Sequence, residues 1–144
     1  MKYKNLTPVL MVNNVSKTVA YYTDMLGFEL TLAVLQEGKD IVTDKNDTRP
    51  KLFAKLKRDD VEIMFEAQSS FMETFPDCKP NLSGDSIVLD TMVLYLEVDD
   101  VSQWAENLEG KVNIIKPLND TYYRKREISI RDCNGYIITF AQNI

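Results

Sequence analysis

Three glutamates and a tyrosine lie at alternating positions in two strand-like segments of the sequence. Glu62 and Glu66 belong to the first segment, and Tyr95 and Glu97 belong to the second. Since alternate residues of a strand point to the same face, each pair would present its side chains to one face of a sheet. Such a face could bind a cationic or polar ligand, because partial desolvation strengthens charge pairing. Solvated strand ends are the alternative interpretation, since most exposed charges only face water.

Several kinds of catalytic site are excluded by composition. The chain has no histidine, so neither a Ser-His nor a Cys-His nucleophile pair can form, and the commonest transition-metal ligand is missing. Its two cysteines, Cys78 and Cys133, are far apart and lack the spacing of a metal site. A reduced, cytoplasmic protein fits this cysteine usage best.

The charge balance and the hydropathy pattern narrow the range of partners. Seventeen basic and 22 acidic residues give a net charge of −5, so nucleic acid is not an expected partner. No apolar run approaches the roughly 18 residues of a membrane span, and the N-terminus does not resemble a signal peptide. We therefore expect no membrane partner, and a small molecule is the expected ligand.

A short internal repeat indicates how the elements that carry these residues are organised. The segment Val12–Ser16 reads VNNVS and the segment Val98–Ser102 reads VDDVS, each between an apolar strand-like run and an amphipathic helical pattern. A second echo pairs DDVEIMFEA (59–67) with NGYIITFAQ (134–142). The sequence therefore predicts one domain, 1–144, made of two βαβββ modules, 5–76 and 91–144, with a linker over 77–90.

The predicted elements follow the same order in each half. Strands are predicted at 7–12, 28–35, 51–57 and 61–67, with 36–50 as a polar loop, and at 92–98, 112–115, 123–130 and 136–142. Asn14 or Ser16 is expected to cap the first helix, and the second helix is expected over 101–108.

Strand periodicity separates two faces in the four echoing strands. One parity is apolar throughout and should pack beneath the helices. The other parity, the mixed face, carries both polar and apolar side chains. Its members are Thr7, Val9, Met11, Glu62, Met64, Glu66, Val93, Tyr95, Glu97, Ile137, Thr139 and Ala141.

Taken together, three segments resemble the glyoxalase/bleomycin resistance/dioxygenase family, also called vicinal oxygen chelate proteins. They are TPVLMVNNVSKTVAYYTDMLGFEL, YLEVDDVSQWAENL and REISIRDCNGYIITFAQ. The resemblance implies an α+β fold in which two tandem βαβββ modules form a curled mixed sheet with a cleft and with helices on the outer face. It also implies a homodimer that completes the cleft.

Enzymes of that family hold a divalent metal at one position in each of four strands. The resemblance places these positions at Thr7, Met64, Val93 and Thr139. Threonine hydroxyls are weak neutral ligands, a thioether is too soft for a hard cation, and valine has no donor atom. We therefore expect no metal and no cofactor.

The family's binding-only members are the closer functional match. The first hypothesis is a metal-free protein of the bleomycin-resistance type, which sequesters a polar or cationic ligand without changing a bond. The predicted ligand-binding residues are Thr7, Met11, Glu62, Met64, Glu66, Val93, Tyr95, Glu97, Tyr123 and Thr139. The alternatives are a lyase, isomerase or dioxygenase that uses a metal or a cleft glutamate, and a regulatory or structural domain with a vestigial cleft.

Three further residues have two interpretations each. Trp104, in the second helix, is expected to pack against the core rather than stack on a ligand. Arg126 and Glu127 match an Arg-Glu pair common in the family, and a cross-strand ion pair is the favoured interpretation.

Overall fold

The repeated order of strand, helix and strands is present in a computed structural model of the chain, which describes residues 1–78 and 91–144. These residues form an N-terminal and a C-terminal unit. The predicted α+β class with two tandem βαβββ modules is confirmed. Residues 79–90 of the predicted linker lie outside the described residues. Within the described ranges, no helix is long and apolar enough to cross a membrane.

The N-terminal unit is a five-stranded mixed sheet with two helices. Its sheet has the order β1-β5-β4-β2-β3, in which β1 and β5 are parallel and the other neighbours are antiparallel. The elements are β1 (Val9–Val12), α1 (Val15–Asp24), β2 (Glu29–Leu35), β3 (Ile41–Val42), β4 (Lys51–Arg58), β5 (Val61–Ala67) and α2 (Gln68–Thr74).

The capping residue and the apolar spacing predicted for α1 are both confirmed. The Asn14 side chain accepts a hydrogen bond from the Lys17 amide at 2.9 Å, which satisfies a first-turn donor. Val19 and Tyr22 are buried, and the Tyr22 ring lies 4.7 Å from that of Phe65 in β5. Through this contact α1 packs against the apolar face of the sheet.

The C-terminal unit repeats the arrangement with four strands and one helix. The sheet has the order β6-β9-β8-β7, again with its first pair parallel. The elements are β6 (Val93–Glu97), α3 (Val101–Leu108), β7 (Asn113–Asp120), β8 (Lys125–Arg131) and β9 (Ile137–Asn143). Asp100 caps α3 by accepting from the Gln103 amide at 3.0 Å, as Asn14 caps α1.

Several elements differ from the sequence prediction, and β1 begins at Val9 instead of residue 7. β7 continues to Asp120 instead of ending at residue 115, because Pro117 lies in a bulged edge strand, where a missing N–H is tolerated. Tyr123 lies in the β7–β8 turn, and β8 begins only at Lys125. The predicted 36–50 loop contains the two-residue strand β3.

Most of the predicted apolar parity faces the core in both units, while Val61 at the start of β5 is 39 % exposed. Its best-buried members are each at most 4 % exposed: Leu10, Val12, Ile63, Phe65, Ile138 and Phe140. Trp104 of α3 packs on this face, with its ring 5.2 Å from that of Phe140, so the prediction of core packing is confirmed. β6 is less covered, since Leu94 and Leu96 are only half-buried.

Candidate functional site

The mixed face of the C-terminal unit spans three neighbouring strands. Tyr95 in the edge strand β6 pairs in register with Thr139 of β9, and Thr139 pairs with Ser129 of β8. The Ser129 and Thr139 hydroxyls lie 2.9 Å apart and are buried. The in-register row Tyr95, Thr139 and Ser129 fixes the spacing between β6 and β8. Because Glu127 lies two residues before Ser129 on the same face of β8, it is within reach of the Tyr95 side chain.

Glu127 is a buried carboxylate at the centre of this face. Its side chain is 4 % exposed. The Tyr95 hydroxyl donates to Oε1 at 2.8 Å, and the Tyr123 hydroxyl lies 3.0 Å from both carboxylate oxygens. Hydrogen bonds to an ionised acceptor are strong, so the two phenols compensate much of the cost of burying the charge. We call these three residues the tyrosine–glutamate cluster.

Both phenols are held in their protonated form. Partial burial of the hydroxyl end and the hydrogen bond to Glu127 raise the pKa of Tyr95 to about 12. The hydrogen bond to Glu127, followed by partial burial, raises the pKa of Tyr123. In each case the adjacent carboxylate disfavours a second negative charge. At neutral pH both phenols are therefore neutral hydrogen-bond donors to Glu127.

The β7–β8 turn positions Tyr123. Thr121 closes the turn, since its amide donates to the Lys125 carbonyl at 2.8 Å and its hydroxyl accepts from the Lys125 amide at 3.0 Å. Arg124 adopts a left-handed backbone, φ 61°, so the chain can reverse within these few residues. The reversal directs the Tyr123 hydroxyl back onto Glu127.

Two lysines neutralise the charge of this face. Lys125 forms an ion pair with Glu97, whose side chain is 66 % exposed. Lys116 lies with its Nζ 3.9 Å from Glu127 Oε2. Glu97 and Glu127 are therefore balanced by two ammonium groups, and the excess of negative charge expected from the sequence is absent here.

The glutamates of the N-terminal unit are also engaged. Glu62 in β5 forms an ion pair with Lys55 of the neighbouring strand β4. Glu66 accepts a hydrogen bond from the Ser70 hydroxyl at 2.7 Å. Met11, on the same mixed face, is buried. Thr7 precedes β1 and accepts from the Asn5 amide side chain at 3.3 Å.

The four metal positions implied by the family resemblance do not suit a metal. Thr7 and Thr139 offer neutral hydroxyls, Met64 offers a thioether, and Val93 offers no donor. Across residues 1–78 and 91–144, no group of three or more Cys, Asp or Glu side chains is arranged to hold an ion. The donor chemistry of these residues therefore does not fit a divalent cation.

Only part of the predicted binding set is brought together. Tyr95, Glu97, Tyr123 and Thr139 lie on one face, together with Glu127 and Lys125, which were not among the predicted site residues. The alternation of Lys125, Glu127 and Ser129 is the sequence signal for these two residues, but β8 is not one of the four echoing strands from which the mixed face is predicted. Arg126 does form a cross-strand ion pair, at 2.6 Å from Asp120, while Glu127 points to the opposite face.

A separate cavity of about 580 Å³ lies in the N-terminal unit, beside the 36–50 loop. Its lining includes Leu35, Asp40 and Arg49, and it contains none of the predicted site residues. The adjoining chain is held by Lys51, whose buried ammonium donates to the carbonyls of Asp47 and Arg49 and to the Ser16 hydroxyl.

Comparison with known proteins finds relatives over nearly the whole chain. The sequence model described as Glyoxalase/Bleomycin resistance protein/Dioxygenase superfamily matches residues 6–140. A bleomycin resistance protein of Geobacillus stearothermophilus is 25 % identical over 142 residues, which cover 95 % of each chain.

Solved structures share the fold at lower identity. A protein of unknown function from Agrobacterium tumefaciens has a TM-score of 0.72 and 18 % identity, with 100 % of this chain and 97 % of that chain covered. The bleomycin-binding protein of Streptomyces verticillus, solved with copper(II)-bleomycin, has a TM-score of 0.62 and 19 % identity, with coverage of 100 % and 99 %.

Proposed function

The chain belongs to the glyoxalase/bleomycin resistance protein/dioxygenase superfamily, and from this premise we propose that it is a metal-free small-molecule binding protein of the bleomycin-resistance type. It would sequester a polar or cationic ligand without catalysing a reaction. The relatives named for bleomycin resistance and bleomycin binding support this role.

The observation that carries the proposal is the donor set at the family's metal positions. Thr7, Met64, Val93 and Thr139 include no carboxylate and no imidazole. A metal-dependent lyase or dioxygenase needs such ligands to polarise its substrate. The alternative that a cleft glutamate acts as a base is weakened by Lys55 and Ser70, which already engage Glu62 and Glu66.

The mixed face of the C-terminal unit supplies surfaces suited to a ligand. The Tyr95 and Tyr123 side chains are 47 % and 48 % exposed, so their rings are available for stacking. Their hydroxyls are hydrogen-bonded to the buried Glu127 carboxylate, which supplies the polar part of the surface. An apolar wall with a few fixed polar groups is typical of small-molecule sites.

We further propose that a homodimer completes the ligand cleft. β6 is an edge strand of its sheet, and it exposes Val93 and Tyr95. Exposed apolar side chains on an unpaired strand edge are typical of a surface that another chain covers. Light scattering coupled to gel filtration tests this, and a stable 16.6 kDa monomer at micromolar concentration would contradict it.

The binding proposal is tested by calorimetric titration with copper(II)-bleomycin. We expect saturable binding that Tyr95→Ala weakens by about tenfold through loss of the aromatic wall. Glu97→Gln should have little effect, because that carboxylate is largely exposed and paired with Lys125. Glu106→Gln, an exposed change on α3, is the matched control.

Two results would contradict the proposal. The first is the absence of copper(II)-bleomycin binding by the folded protein. The second, from elemental analysis of protein purified without chelators, is one tightly bound divalent ion per chain, which would favour a metal-dependent enzyme.

A further inference from the structure

The orientation of protons in the tyrosine–glutamate cluster limits what the cluster can recognise. A phenol carries a single proton. The Tyr95 hydroxyl oxygen lies 2.8 Å from Glu127 Oε1, and its proton is directed at that oxygen. The Tyr123 hydroxyl is directed at both carboxylate oxygens. Seen from solvent, the cluster therefore presents oxygen lone pairs and aromatic faces, and it presents no hydroxyl donor.

A ligand group that accepts hydrogen bonds could bind a phenol of the cluster only by replacing its hydrogen bond to Glu127. To bind a carbonyl or carboxylate, a phenol must turn its proton away from Glu127. The carboxylate is buried, so it would lose a donor that water can replace only in part. A ligand N–H, in contrast, can donate to a phenol oxygen while the phenol still donates to Glu127, and such chains of hydrogen bonds reinforce one another.

The aromatic faces add a preference for positive charge. The exposed rings of Tyr95 and Tyr123 can attract a cation through their quadrupoles. The surrounding charges contribute little, because Lys125 pairs with Glu97 and Lys116 lies beside Glu127. Selection at this site therefore depends on hydrogen-bond polarity and ring contact more than on net charge.

Resting on the proposed binding function, we propose that the tyrosine–glutamate cluster is an acceptor-only subsite for a nitrogen cation that carries N–H groups, such as an amidinium, guanidinium or primary ammonium. A cation without N–H groups would keep only the ring contact. An anion or a neutral acceptor would be rejected.

Three probes that share one aromatic ring test this selectivity: benzamidine, benzyltrimethylammonium and benzoate. Titration of each into the full chain, followed by protein NMR shifts and by competition with copper(II)-bleomycin, measures their relative affinities. We expect benzamidine to bind about tenfold more tightly than benzoate, with benzyltrimethylammonium between them. Raising the salt concentration should change this order little, since the local charges are balanced.

Two variants connect the selectivity to the cluster. Glu127→Gln removes the charge that orients the phenols and should reduce the preference for benzamidine over benzoate to less than about threefold. The double variant Tyr95→Phe, Tyr123→Phe keeps both rings but removes both acceptors, and it provides the same test if Glu127→Gln does not fold. Glu106→Gln is the control and should retain the full preference.

The outcomes separate this inference from the broader function. If copper(II)-bleomycin binds but benzoate equals or exceeds benzamidine, or if benzamidine does not bind, the subsite assignment is wrong and the binding function stands. If benzamidine is preferred through Glu127 but copper(II)-bleomycin does not bind, the bleomycin-type function is wrong and the subsite stands. An unchanged preference in both cluster variants also overturns the assignment.

Discussion

Removing the Tyr95 hydroxyl tests whether the tyrosine–glutamate cluster stabilises the fold. Tyr95→Phe keeps the ring and deletes one donor to a carboxylate whose side chain is 4 % exposed. A hydrogen bond to a charged group contributes about 1.5–3 kcal/mol. Because Tyr95 is 47 % exposed and water can partly replace the donor, we expect the lower end, about 1.5 kcal/mol.

The dependence on Glu127 makes this prediction specific. In a Glu127→Gln background the acceptor is neutral, and the same substitution should cost only about 0.5 kcal/mol. The coupling free energy between the two positions should therefore be about 1 kcal/mol. Tyr122→Phe is the matched control, since that side chain is 97 % exposed in the same turn, and it should cost less than about 0.5 kcal/mol.

Urea denaturation of the wild type, the two single variants and their combination measures this coupling, provided that the denaturant dependence is the same in all four proteins. The reasoning is refuted if Tyr95→Phe costs no more than Tyr122→Phe. It is also refuted if the cost of Tyr95→Phe is the same with Gln at position 127.

Three further predictions concern the loop held by Lys51, the two helix caps and the titration of Tyr95. Lys51→Met should cost about 1–3 kcal/mol in urea denaturation and speed amide exchange in residues 44–50, because the loop loses its buried donor; unchanged exchange would contradict this. Asn14→Ala and Asp100→Ala should each lower the free energy of unfolding by about 1 kcal/mol, since both side chains cap a helix; a loss at only one of them would argue against equivalent roles. Because the pKa of Tyr95 is raised to about 12 in the folded chain from an ordinary value of 10.0, the folded state holds this proton more tightly. Its contribution to stability is complete below pH 10 and is lost as the pH rises to 12, which stability measurements and tyrosinate absorbance on the wild type and Tyr95→Phe can follow.

The repeated architecture could be predicted because local signals repeat with it. The VNNVS and VDDVS segments place Asn14 and Asp100 at equivalent positions, and both cap a helix. Capping depends on a side chain and an amide three residues away, so it can be inferred from the sequence. In the turn between β8 and β9, Gly135 has φ 94° and Asp132 accepts from the Asn134 and Tyr136 amides. The Asn134-Gly135 pair is a local sequence signal for such a turn.

The errors occurred where pairing between strands overrides the local pattern. The extension of β7 past Pro117 depends on its place at the sheet edge and on its register with β8. The two residues of β3 form a strand only because β2 lies beside them. Neither neighbour can be identified from the short segment itself.

The sequence by itself determined which side chains share a face, since strand periodicity requires no knowledge of the neighbouring strand. It therefore separated Phe65 and Phe140 from Tyr95 and Glu97 correctly. Only the tertiary structure decided which groups meet across the sheet. Tyr95 reaches Glu127 over 32 positions of sequence, and Lys125 pairs with Glu97 over 28 positions, because strand register brings them together. Those pairings turned an expected acidic surface into a charge-balanced one with a buried carboxylate.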